Sequence, residues 1–166
     1  MISQEDMKAI FLPLLREQGQ IFMKKQKVWA KPANEGEIII TMTADGMETS
    51  NVAKQGDMLV KNQTDAEEIY VVSAKSFEER YVKIEDTIFD NAGFEEFKPI
   101  GKIYVLVIGN QLLTKLKLPK SFYFEAPWEA NMICKENDCL ASPPDFSQVY
   151  RIARKEFFET YASVNA

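Results

Sequence analysis

The chain has 166 residues, 46% hydrophobic and 27% charged, with a net charge of −5. That is the composition of a folded globular chain rather than a disordered one. The acidic balance argues against grasping a nucleic-acid polymer, which needs clustered cation.

No apolar run is long enough to span a bilayer, and no basic start with an apolar segment behind it marks a signal peptide. Two cysteines in a chain of this length fit a reducing compartment, so a cytoplasmic location is expected, with no membrane partner. Histidine is absent, which removes the commonest general base, metal ligand and near-neutral switch.

In chain order, residues 4–18 read as a helix. Ser3 can cap it, and Met7, Ile10, Phe11, Leu14 and Leu15 share one face. Pro13 should kink this helix or end it near Leu12, and Gly19 is a natural stop. Residues 20–30 read as a strand interrupted at Lys24-Lys25, and Lys31 to Gly36 as a loop. Glu37 to Thr43 is rich in β-branched residues and reads as a strand. Asp45-Gly46 is the turn, and Glu48 to Ala53 the returning strand.

A second turn at Gln55-Gly56-Asp57 leads to a short strand at Met58-Leu59-Val60. The stretch from Asn62 to Glu67 is a polar loop; its Asn62-Gln63-Thr64 matches a glycosylation pattern only formally. Ile69 to Val72 is a strand, and Ser73 or Ser76 opens a short helix. Tyr81 to Ile84 is extended, and Glu85 to Lys98 is a polar connection. Strands are expected at 102–108, 121–125, 132–134, 139–141 and 149–153. Leu112, Leu113, Leu116 and Leu118 suggest a short helix or an irregular packing segment, and a final helix is expected at Lys155 to Tyr161. Strands in hairpin-like succession with few helices between them favour an α+β fold with mainly antiparallel sheet.

Tyr70-Val-Val-Ser-Ala-Lys-Ser-Phe-Glu-Glu-Arg-Tyr81 is echoed by Tyr150-Arg-Ile-Ala-Arg-Lys-Glu-Phe-Phe-Glu-Thr-Tyr161. Both tyrosines, Lys75/Lys155, Phe77/Phe157 and Glu79/Glu159 are shared. Ordinary residue usage gives roughly one such match. Upstream, Lys54-Gln55-Gly56-Asp57-Met58-Leu59 aligns with Lys135-Glu136-Asn137-Asp138-Cys139-Leu140, and Glu48 with Glu129. Gly56 and Asn137 are the residue types that best tolerate positive φ, so each should sit in a tight turn whose backbone Asp57 or Asp138 bonds. We expect one compact domain, 1–166. It would hold pseudo-repeats at about 20–84 and 99–161, each ending in a strand and a short helix, sharing one core because units of that size are marginal alone.

The pieces Gly56-Asp57-Met58-Leu59-Val60, Tyr70 and Phe77 to Tyr81, with their second-copy counterparts, resemble the PGDYG-motif family. That is a group of small bacterial and phage proteins named for Pro-Gly-Asp-Tyr-Gly. The resemblance covers about half of the chain as two degenerate copies. Gln55 or Glu136 stands in place of the motif's Pro, Met58 or Cys139 in place of its Tyr, and Asn137 for one Gly. It implies a small β-rich module of unknown function and transfers no active-site residue.

For chemistry, Cys134 and Cys139 lack further sulfur or nitrogen partners for zinc and align with apolar Ala53 and Met58, so buried inert thiols are expected. The pairs Glu67-Glu68, Glu78-Glu79 and Glu95-Glu96 point apart within each pair and read as solvated faces. There is no nucleophile elbow and no phosphate loop.

The remaining constellation is aromatic and cationic: Tyr70, Tyr81, Tyr150 and Tyr161, with Arg151 and Arg154. Such groups can stack on a planar anionic ligand such as a nucleotide and meet its phosphate. Their periodicity equally suits core packing. No catalytic residue, metal site or cofactor is assigned. The expected function is a non-catalytic binding module. Its alternatives are tyrosine stacking on a small nucleotide-like ligand and a carboxylate-dependent enzyme. A protein partner would find an apolar patch near Trp128 or the 112–118 leucines.

Overall fold

A computed structural model describes residues 1–127 and 131–164, which leaves Trp128 and Glu129 outside the described residues. The fold is α+β with mostly antiparallel sheet. Helix α1 (Gln4–Gln18) begins at Ser3, whose hydroxyl accepts the Asp6 N–H at 3.1 Å. It does not stop before Pro13. Met7, Phe11 and Leu15 are fully buried on one face, and that burial outweighs the one backbone bond Pro13 removes. Gly19 ends it at φ −64°, where a Cβ would lie 2.3 Å from the Leu15 carbonyl oxygen.

Strand β1 (Gln20–Lys24) is separated from β2 (Val28–Pro32) by a bend, so the 20–30 stretch is two strands. The hairpin β3 (Ile38–Thr43) and β4 (Gly46–Val52) follows, then β5 (Met58–Asn62) and β6 (Ile69–Val72). Ser73, not Ser76, caps α2 (Ala74–Arg80), which runs directly into β7 (Tyr81–Lys83). The expected polar connection contains a strand, β8 (Glu95–Pro99). Glu96 is partnered there, by Gln63 Nε2 donating at 2.8 Å and the Lys27 ammonium at 3.7 Å; Glu95 has only the Lys83 ammonium at 3.9 Å, and its buried Oε2 takes no hydrogen bond.

The second half runs β9 (Lys102–Val107), α3 (Asn110–Lys115), β10 (Ser121–Glu125), β11 (Asn131–Lys135), β12 (Cys139–Ser142) and β13 (Tyr150–Ile152). Helix α4 (Arg154–Thr160) then hands over to β14 (Tyr161–Ser163), so Tyr161 starts a strand instead of ending a helix.

The chain divides into two compact units. One comprises Met1–Phe22, Lys102–Phe158 and the chain from Ser163; the other Met23–Gly101 and Glu159–Ala162. In the first, Met7, Phe11, Leu15, Ile108, Phe124 and Leu140 head a buried apolar cluster. In the second, Val28, Ala30, Val60, Phe77 and Tyr81 form one cluster, and Ile39, Leu59 and Phe94 another.

The two five-stranded sheets have matching orders, β13-β12-β9-β1-β14 and β6-β5-β2-β8-β7. Their registers match as well: Cys139 faces Ile152 and Val107 where Met58 faces Val72 and Pro32. A two-stranded hairpin accompanies each sheet, β10-β11 and β3-β4. The order of elements along the chain matches too, with one exchange. β1 precedes β2 as β8 precedes β9, yet β8 lies beside β2 and β1 beside β9. Each sheet therefore draws one inner strand from the other half of the sequence.

The aspartate turns coincide. Gly56 and Asn137 sit at φ 87° and 71°. Asp57 and Asp138 each accept, at 2.8 Å, the N–H of the lysine three residues back, Lys54 or Lys135. That is the structural role expected of them.

Candidate functional site

The six candidate residues fall three to each unit. In the first, half-buried Tyr150 on β13 packs against the main apolar cluster. Its neighbour Arg151 is fully enclosed, its Nε donating to Asp138 Oδ2 at 2.9 Å. Asp138 also takes the backbone N–H groups of Lys135 and Arg154. A guanidinium committed in this way holds a turn against a strand and offers nothing to an incoming phosphate. Arg154 is exposed, its guanidinium 6.0 Å from the centre of the Phe158 ring.

In the second unit Tyr70 and Tyr81 gather around the chain's own Lys24, and Tyr161 stands near enough to act on Tyr70 electrostatically. Lys24 ends β1 and is only 8% exposed. Its ammonium lies 5.0 Å from the centres of both the Tyr70 and Tyr81 rings. It donates to both hydroxyls and to Asn62 Oδ1, the last at 2.9 Å. Asn62 Nδ2 passes the contact on to Glu68 Oε1 at 2.6 Å, and the Thr64 hydroxyl donates to Glu68 Oε2 at 2.7 Å. The two tyrosine oxygens are 3.1 Å apart.

The ammonium lies beyond the two hydroxyls, near the ring planes, so the hydroxyl oxygens and the hydrogen-bond chain behind them, not the ring faces, keep this buried charge tolerable. Burial pulls the Lys24 amine below its ordinary value, against the opposing pull of Tyr81. Burial raises Tyr70 well above the usual tyrosine value, with Tyr81 and Tyr161 adding to it.

The tyrosine pair thus holds a cation through its hydroxyls, and that cation is internal. Glu68 was expected on a solvated face; at 5% exposure it is instead the acidic end of this chain of bonds. Sequence reading missed Lys24, Asn62 and Glu68. Lys24 looked like a strand break and Asn62 opened a polar loop, and nothing in local spacing joins residues so far apart along the chain.

Beside the cluster, a hollow of about 280 Å³ is lined by Trp29, Lys61, Gln63, Thr64, Glu67 and Glu96, among others. Lys61 is anchored by Asp90 at 2.8 Å. That bond, helped by the Phe94 and Ala92 N–H groups, holds Asp90 below the ordinary carboxylate range. Cys134 and Cys139 are free and buried. Burial first, then the Asp138 carboxylate, pushes both thiols up to about 12. Among the described residues, no three Cys, Asp or Glu side chains gather as a metal cage would require, and no helix is long and apolar enough to cross a membrane.

The largest departure from ordinary surface chemistry is elsewhere. The 112–118 leucines, expected as a patch, pack against the core, with Leu113 2% exposed. The hairpin β3-β4 instead carries Ile38, Ile40, Met42, Met47 and Val52 at between 48% and 67% exposure. Ile38 faces Val52 and Met42 faces Met47 across the ladder, so these side chains share one outward face. Ile39, Thr41 and Thr43 point the other way and are buried. The chain matches no protein-family model, no curated protein and no solved structure.

Proposed function

We propose that this protein is a non-catalytic, cytoplasmic binding module that docks another polypeptide. It would consist of two degenerate copies of one small β-module, in keeping with the resemblance to the PGDYG-motif family, and would bind no nucleic-acid polymer. The observation that carries the reading is the hairpin face of Ile38, Ile40, Met42, Met47 and Val52. Contiguous apolar surface of this kind marks an interaction site on a folded protein. Three carboxylates that a carboxylate-dependent enzyme could call on are engaged within the fold, which favours the binding reading over that alternative: Asp138 with Arg151, Asp90 with Lys61, and Glu68 with Asn62 and Thr64.

Comparative capture tests the reading. Immobilised wild type and an Ile40→Lys, Met47→Lys variant are exposed to native lysate. The expected result is a polypeptide retained in stoichiometric amount by the wild type and lost by the variant. Identical retention contradicts the reading.

A small-ligand reading draws on the hollow beside Trp29, where an aromatic face and Lys61 stand together. It predicts stabilisation by a nucleotide-like compound in a thermal-shift panel. No shift at millimolar ligand removes it.

A further inference from the structure

We infer that the outer edge of β3 receives an extended peptide strand with alternating apolar residues and basic flanks. This rests on the binding-module reading and specifies its partner. Ala53 N–H donates to the Glu37 carbonyl at 2.8 Å. Alternation along an antiparallel pair then turns the Ile39 backbone toward β4 and the N–H and C=O groups of Ile38 and Ile40 away from it. Among the described residues, β3 pairs with β4 alone.

The other hairpin shows what such an edge accepts. Val52 and Ile133 stand at the same place ahead of the two aspartate turns, and they face Ile38 and Tyr123 respectively. Tyr123 and Glu125 are therefore the counterparts of Ile38 and Ile40. On β10 those same groups are occupied: Ile2 N–H donates to the Tyr123 carbonyl at 3.1 Å, and Glu125 N–H donates to the Ile2 carbonyl at 2.8 Å. Ile2 lies parallel to β10 as a one-residue strand. One hairpin has its edge filled by extended backbone from its own unit; among the described residues the equivalent groups of the other carry no backbone partner, β6 meeting β3 instead through the Thr41 hydroxyl, which donates to the Ile69 carbonyl at 2.8 Å.

Open edges are ordinarily blunted by lysine, proline, inward charge or a bulge. β3 reads Ile-Ile-Ile-Thr-Met-Thr, with no charge and no proline. Its one register shift falls between Thr41 and Met42, toward the turn. A β-rich, uncharged edge of this kind is an aggregation hazard unless something covers it.

Charge selects the occupant. Between Pro32 and Ala53 the sequence has Glu35, Glu37, Asp45 and Glu48 and no lysine or arginine. A second copy would bring the same acidic ends to this edge with no basic residue between Pro32 and Ala53 to meet them, and like charges brought together are unfavourable. A strand flanked by lysine or arginine is complementary at both ends. Main-chain bonds would supply affinity, and alternate side chains beside Ile38 and Ile40 would supply specificity.

The test uses the full chain and three ten-residue probes: alternating lysine and valine, alternating glutamate and valine, and the lysine-valine peptide N-methylated at alternate residues. Binding is followed by fluorescence anisotropy, and hydrogen exchange locates it. The lysine-valine peptide is expected to bind and to slow exchange at Ile38 and Ile40. The glutamate and N-methylated peptides should bind at least about tenfold more weakly. Ile40→Pro removes a donor that points away from β4, so it should leave the hairpin paired and weaken binding by at least about tenfold.

Equal binding of the N-methylated peptide overturns edge pairing while leaving the apolar face as a docking surface. Equal binding of the glutamate peptide overturns the charge argument. A dimer in sedimentation that Ile40→Pro dissolves makes a second copy the occupant instead. No binding of the lysine-valine peptide up to millimolar concentration overturns the inference, and retained lysate capture by the wild type alone would show that the broader reading survives it.

Discussion

At the scale of single residues, Lys24 sets the clearest expectation. Its folded pKa is lowered by burial, so the folded protein sheds that proton before the unfolded chain does. From that lowered value up to 10.5 the unfolded state holds more proton, and stability contributed by this site rises with pH. Below the lowered value the buried charge costs the fold a constant amount.

Tyr70 runs the other way. Its raised pKa means the unfolded chain ionises first, and stability falls as pH climbs past 10.0. Lys24→Met should therefore abolish the rise and keep the fall. In urea titrations across alkaline pH, wild-type stability minus variant stability should grow toward pH 10.5. A flat or shrinking difference would contradict the burial of the charge. Tyr70→Phe, which strips one acceptor from the ammonium, should cost about 1–3 kcal/mol.

The paired aspartates make a second comparison at this scale. Both bond the same turn N–H, but only Asp138 also holds a buried arginine. Asp138→Ala should cost about 3–5 kcal/mol, because it strands Arg151. Asp57→Ala should cost about 1 kcal/mol. Equal costs in thermal or chemical denaturation would mean the ion pair adds nothing.

The thiols supply a third. With Cys134 and Cys139 pushed up to about 12 and buried, iodoacetamide at pH 8 should label neither in the folded protein and both in urea. Their burial was legible in advance, since they occupy the places of Ala53 and Met58. The destination of Lys24 was not, because long-range partners leave no local spacing to read.

At the scale of elements, most strands and three of the four helices were legible from alternation, β-branching and caps; α3, which has no side-chain cap, was legible only as a short helix or an irregular segment. The exceptions have physical causes. Pro13 was expected to break α1, but Met7, Phe11 and Leu15 bury too much surface for one lost bond to prevail. β8 was hidden by its glutamates, of which Glu96 meets a long-range partner in Gln63 while Glu95 keeps a buried oxygen without a hydrogen bond. The three consecutive isoleucines of β3 did carry a signal. A strand apolar on both faces is either covered twice or exposed once, and here Ile39 is covered while Ile38 and Ile40 are not. Ile39→Lys should accordingly cost about 2–5 kcal/mol of stability, whereas Ile40→Lys should change it by under about 0.5 kcal/mol. A comparable loss from both would place Ile40 in the core and remove the docking face.

At the scale of the whole molecule, the sequence showed two similar stretches but not how they trade strands. Similarity between Phe77 and Phe157 segments is local, and both do form a short helix followed by a three-residue strand. Which strand fills the slot beside β2 depends on chain path, and residue type is silent on that. The exchange makes its own prediction. A fragment of 23–101 holds every strand of its sheet, whereas 20–84 lacks β8 and leaves β2 with an unpaired edge. The first should melt cooperatively and the second should not; the reverse outcome would refute the exchange.

The docking account reduces to a contrast between two equivalent hairpins, one with its edge filled and one open. Residue-resolved hydrogen exchange on the free full-length chain measures that contrast directly. The Glu125 amide, bonded to the Ile2 carbonyl at 2.8 Å, should exchange slowly, and the Ile40 amide should exchange orders of magnitude faster. Equal protection at the two amides would mean that the β3 edge is already covered, and the binding surface assigned here would not exist.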